Sequence, residues 1–110
     1  WERAHQLTLS VYEATRGFPK EELVGLTSVM RRIAASIPAQ IVEGCQGATD
    51  VELGRQIKSA LGSISELEYQ LILAHDLGYI PRDGLERLTA EAGDLRKALT
   101  QFGTGIRAFR

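Results

Sequence analysis

Arg31 and Arg32 are the residues best placed to hold an anion, because adjacent arginines on a helix diverge by about 100° and could clamp a phosphate or a carboxylate across an interface. The plainer role, and the expected one, gives each an acidic partner, Glu43, Glu66 or Glu68, on its own chain or on a neighbouring one. Glu66 and Glu68 sit among Leu-Gly-Ser and Leu-Tyr neighbours, where partial burial calls for a cation. As a general acid and base, or as metal ligands, these two glutamates would have to converge. Two residues apart on a helix, they point about 200° away from each other, which argues against joint work. His5 and His75 are the only histidines and form no zinc spacing, and the Glu-x-x-His pair of di-iron bundles is absent. Cys45 follows a helix end and has no adjacent histidine or lysine to lower its pKa, so it reads as a small filler rather than a nucleophile. Gly44 to Gly47 lacks the lysine and the preceding strand of a phosphate-binding loop. Arg96, Lys97, Arg107 and Arg110 gather towards the C-terminal end and could form a nucleic-acid patch, although cations there also complement a helix macrodipole. No catalytic residues, cofactor site, metal site or small-molecule substrate emerge, and the expectation is a protein that is not an enzyme.

Composition sets the bounds for whatever positions these groups. A chain of 110 residues with 44% apolar and 25% charged residues fits a single globular domain, 1–110. Its formal charge of -1 provides no global attraction for nucleic acid or anionic membrane, so binding of either kind needs a local patch. One cysteine allows no intramolecular disulfide, which points to a reducing, cytoplasmic setting. No apolar run reaches the ~20 residues that span a bilayer, and no membrane partner is expected. The chain opens at Trp1 rather than at methionine, so some native N-terminus is expected to precede it.

The elements follow from apolar periodicity. Ala4, Leu7, Thr8, Val11, Tyr12 and Thr15 recur at three- and four-residue steps and predict a helix over residues 2–16. Gly17-Phe18-Pro19 should end it, with Gly17 in the left-handed conformation and Phe18 continuing the stripe. After a short turn over residues 20–23, a second helix begins near Gly25 or Thr27, its core stripe Leu26, Met30, Ile33, Ile37 and Ile41. Pro38 should kink this helix, and a break into two helices at Ser36-Ile37 is the rival reading. Gly44 to Ala48 reads as a loop. Thr49-Asp50-Val51-Glu52 has the form of a capping box and opens the longest helix, which carries an unbroken stripe from Leu53 to Leu77 and is closed by Gly78. A last helix runs from Arg82 or Asp83 to about Arg107 through Leu85, Leu88, Ala92, Leu95, Leu99, Phe102 and Ile106. Four helices with short connections predict an all-α fold, an antiparallel up-down-up-down four-helix bundle.

Two of these helices have a second buriable face. Ser28, Ala35, Ala39 and Val42 gather opposite the core stripe of the second helix, and Gly62, Ser65, Tyr69, Ile72 and Leu73 do so on the third. Small side chains permit close helix approach, and an uncovered strip of this kind would be an exposed apolar patch, so subunit contact is the expected use. Burial by neighbouring helices of the same chain is the alternative.

The segments Trp1 to His5, Gly25 to Arg32, Ser36 to Gly44 (Ser-Ile-Pro-Ala-Gln-Ile-Val-Glu-Gly), Ala60 to Glu68 and Asp76 to Ile80 resemble, in order, those of the "four helix bundle protein" family, also called the 23S ribosomal RNA intervening-sequence protein family. Gln40 stands where the family usually has asparagine, and Cys45-Gln46-Gly47 replaces a more basic or aromatic loop. The resemblance implies an antiparallel four-helix bundle assembling as a ring of five, similar in build to the accessory protein of diversity-generating retroelements. Those retroelement relatives are strongly basic and engage RNA, whereas this chain is slightly acidic. A homopentameric assembly or interaction scaffold is therefore the expected function, with an RNA- or DNA-binding accessory factor as the alternative.

Overall fold

Four α-helices account for nearly all of the chain in its computed structural model, which describes residues 1–47 and 49–106. They are α1 (Glu2–Thr15), α2 (Leu26–Gln46), α3 (Asp50–Asp76) and α4 (Arg82–Thr104), with a single 3-10 turn, Lys20–Glu22, between α1 and α2. Each helix packs on its sequence neighbours and α4 closes onto α1, which makes an all-α four-helix bundle. Side-chain bonds fix the directions. Thr8 of α1 meets Ala34 of α2 while Thr15 meets Arg31, and Ser63 of α3 meets Ser36 and Gln40 of α2 while Gln56 meets Glu43. Both pairs of helices therefore run antiparallel. Only five residues join α3 to α4, too few to travel back along helices of this length.

The core is the set of predicted stripes turned inwards: Ala4, Leu7 and Val11 of α1, Met30, Ile37 and Ile41 of α2, Ile57, Ile64, Leu67 and Leu71 of α3, and Leu88, Ala92, Leu95 and Leu99 of α4. Phe18 is buried as expected and stacks obliquely on Tyr79, their centroids 5.2 Å apart. Several stripe positions depart from expectation. Tyr12, Leu77 and Phe102 are exposed and Ile33, Leu53, Leu61 and Leu85 are only partly covered, since they lie at the edges or ends of their helices' inward faces.

Helix ends follow local chemistry. Thr49 Oγ1 accepts from the Glu52 N–H at 3.1 Å, the first half of the capping box, while the Glu52 carboxylate turns to Arg55 and Gln56. At the other end of α3, Tyr79 N donates to Ala74 O and Gly78 N to His75 O, both at 2.9 Å, which is a Schellman closure around Gly78 at φ 82°. Among the described residues Gly78 alone has positive φ, so the left-handed conformation expected at Gly17 is not used. Instead α1 ends in tightened turns, Arg16 N to Glu13 O and Phe18 N to Thr15 O.

As expected, α2 is a single helix through Pro38, and the rival break at Ser36-Ile37 does not occur. Its end is corrected: the helix extends through Gly44 and Cys45 to Gln46, where the sequence reads as a loop. Gly44 is buried because α3 crosses it closely: a Cβ there would stand 3.0 Å from Gln56 Cβ and 3.0 Å from Leu53 Cδ1. The absent side chain serves contact rather than a turn.

Pro38 lacks the N–H that would reach the carbonyl of Ala34, and that carbonyl lies on a residue with no exposed surface. Thr8 fills the gap. Its hydroxyl, buried between α1 and α2, lies 3.0 Å from Ala34 O and 2.9 Å from Ala4 O, so a single proton is shared between them. Ala4 O belongs to the regular ladder of α1, whereas Ala34 O has lost its ladder donor, so the Thr8 bond matters most to Ala34.

Candidate assembly face

The second faces of α2 and α3 point away from the bundle. Ser28, Ala35 and Ala39 are exposed, as is Val42 at 37%, and on α3 Gly62, Ser65, Tyr69 at 59% and Ile72 at 50% are exposed too, with Leu73 partly covered. Burial by the chain's own helices, the alternative use of these strips, does not occur for those eight. The seam between the strips is polar and small. Ser36 Oγ donates to Ile33 O at 2.6 Å and lies 3.3 Å from Ser63 Oγ, and Gln40 Oε1 accepts from Ser63 at 3.4 Å.

The strips lean to opposite sides of the bundle. Ser28 shares a shallow pocket of about 370 Å³ with Tyr12 of α1 and with Leu23, Thr27, Arg31 and Arg32. Ser65 instead accepts from Arg96 of α4 at 3.2 Å. The α2 strip thus opens towards α1 and the α3 strip towards α4.

The two arginines behave differently. Arg31 is half-buried and its guanidinium lies 4.7 Å from the Tyr12 ring centroid. Its Nε donates to Thr15 Oγ1 at 2.8 Å and an Nη donates to Tyr12 O at 3.5 Å, so its partners are neutral acceptors. Arg32 is exposed, and the salt bridges of the described residues include neither arginine. Glu68 pairs with Arg96 across the α3–α4 seam, Glu43 accepts from Gln56 at 3.2 Å, and Glu66 is exposed without an ion pair. Of the acids considered as arginine partners, Glu66 alone has neither an ion pair nor a side-chain hydrogen bond among the described residues.

Arg96 is therefore partly neutralised by Glu68, and Lys97 lines a groove with Glu91 and Asp94, while Arg107 and Arg110 lie outside the described residues. That groove, about 950 Å³ between α1 and α4, includes His5, whereas Cys45 lines a separate one of about 510 Å³ with Trp1, Ile41 and Phe102. His75 lies 3.3 Å from Asp76 Oδ1, and the described residues hold no group of three His, Cys, Asp or Glu able to bind a metal ion. Among the described residues no helix is long and apolar enough to cross a membrane.

Periodicity marked the two strips, but nothing local in the sequence marked the Arg31–Tyr12–Thr15 arrangement. It arises because Thr15, Tyr12 and Arg31 meet only when α1 and α2 pack antiparallel. A second link of this kind joins Glu22 to both ends of the connections: its carboxylate accepts from Leu26 N at 3.3 Å, capping α2, and from the Tyr79 hydroxyl at 2.9 Å. The hydrogen bond to this carboxylate raises the Tyr79 phenol above its ordinary pKa, and the hydrogen bond from Arg55 holds the Glu52 carboxyl below its own.

No curated protein matches this chain. The model of the family described as 23S rRNA-intervening sequence protein matches residues 1–101, and the chain belongs to that family.

Proposed function

We propose that the protein is a non-enzymatic scaffold that assembles from copies of itself, with five as the number its family resemblance favours and the cytoplasm as its setting. One observation carries this reading: the small and apolar strips of α2 and α3 lie uncovered on a single chain, where contiguous apolar surface is uncommon unless something binds it. Their shapes also suit each other. Ser63 bonds both Ser36 and Gln40 of the antiparallel α2, which puts Ala39 within about half a turn of Gly62, so copies related by rotation about an axis along the bundle would bring small residues against small ones at nearly the same height. Because the strips lean to opposite sides, a two-fold dimer would use one of them twice and leave the other bare. Head-to-tail contact uses both and closes into a ring when the rotation allows.

The family's description points to ribosomal RNA insertions, which supports RNA binding as a second reading. The pairing of Arg96 with Glu68 and the charge of -1 place it behind self-assembly. Light scattering on the purified chain tests the first reading. A mass of several subunits is expected, and Ala39→Glu, which sets a charge on the strip's centre, should reduce it to one. A wild-type mass of one subunit refutes the assembly. Retention of RNA that falls steeply with added salt would instead favour the second reading.

A further inference from the structure

We propose that Arg32 of one copy pairs with Glu66 of the next across this contact. The inference rests on the self-assembly reading above and deepens it by naming the residues that orient the interface. Both groups are exposed, and neither takes part in an ion pair among the described residues. Their neighbours in sequence fix where they lie. Arg31 is turned to α1, where it meets Tyr12 and Thr15, so Arg32, about 100° further round the helix, is turned off the α1 side towards the α3 side. Ser65 is turned to α4, where Arg96 bonds it, so Glu66 is turned off the α4 side towards the α2 side by the same rotation. Each charge therefore borders its own strip on the same side of the bundle, the side formed by α2 and α3 together.

Height agrees as well. Ser36 is level with Ser63. Arg32 precedes Ser36 by about one turn, which sets it level with the turn of α3 that follows Ser63, and Glu66 stands in that turn. When the α2 strip of one copy meets the α3 strip of the next without a shift along the axis, a guanidinium and a carboxylate that form no ion pair among the described residues come together at the border of the contact. An ion pair at such a border selects partner and register more than it adds raw affinity. Here it favours the head-to-tail arrangement, because contact of two α2 strips would bring Arg32 to Arg32.

Charge reversal separates this pairing from the assembly itself. Arg32→Glu and Glu66→Arg are each expected to weaken association by ~10-fold or more, since each places like charges together. The double variant should regain most of that loss. Sedimentation velocity over a concentration series reads the association, and circular dichroism melts confirm that each variant folds. If both single variants keep the wild-type assembly while Ala39→Glu dissociates it, the pairing is overturned and the assembly stands. A double variant no better than either single one overturns the pairing too, and a wild type that is monomeric throughout overturns both.

Discussion

Replacing Thr8 by valine tests whether the bundle depends on α1 to repair the defect that Pro38 makes in α2. Valine keeps the branched shape of threonine and removes the hydroxyl, so packing changes little while Ala34 O loses its donor at 3.0 Å. Ala4 O, the other acceptor, keeps its place in the ladder of α1. The expected cost is that of one buried carbonyl left unpaired, ~1–3 kcal/mol. The decisive measurement is the cycle with Pro38→Ala. Alanine restores an N–H at position 38 that can reach Ala34 O, so in that background the hydroxyl of Thr8 is no longer needed. Thr8→Val should then cost ~0.5 kcal/mol or less, a coupling of at least ~0.5 kcal/mol between residues on different helices. Urea unfolding followed by circular dichroism gives the four stabilities, at one protein concentration because any self-association would add to apparent stability. Equal costs of Thr8→Val in both backgrounds would refute the reasoning, since the hydroxyl would then be stabilising something other than the carbonyl freed by proline.

Two further outcomes follow from close contacts and from titration. Gly44→Ala puts a Cβ 3.0 Å from both Gln56 Cβ and Leu53 Cδ1, and the overpacking should cost ~1–3 kcal/mol in urea unfolding despite alanine's better helix propensity. The raised pKa of Tyr79 means that the folded chain holds the phenolic proton more tightly than the unfolded one, so its contribution is complete below about pH 10 and is lost as pH rises from there through the folded value. Tyr79→Phe should accordingly flatten the loss of thermal stability above pH 10, and an unchanged alkaline limb would remove Glu22 as its cause.

What could be read ahead of the structure was what depends on residues near one another in sequence. The ends of α3 were legible because Thr49 and Glu52 are three residues apart and because Gly78 directly follows the last turn. The same local logic misread Gly44, where a glycine that normally ends a helix instead lets α3 approach, a fact set by Leu53 and Gln56 on another element. Pro38 was recognised as a defect, yet its remedy lies on α1 and becomes visible only once Thr8 faces Ala34. The arginines show the same boundary. Arg31 and Arg32 were singled out by type, but which acid each could reach depended on Arg96 claiming Glu68, a contact between positions 28 residues apart.

The outward strip of α2 is held from both flanks and from its first turn. Glu22 caps its beginning, Tyr12 and Thr15 hold Arg31, Thr8 holds the Ala34 carbonyl, and Ser63 and Gln56 of α3 bond Ser36, Gln40 and Glu43. A helix fixed at so many points presents its free face in one position before any partner arrives. Its strip is Ser28, Ala35, Ala39 and Val42, short side chains with little rotamer freedom to lose, whereas ordering a long side chain costs ~0.5–1.5 kcal/mol. The proposed association on this face would therefore spend little on ordering either backbone or side chain. In that proposed contact the long charged side chains would be left to the border, where Arg32 and Glu66 would choose the partner without having to supply the binding energy.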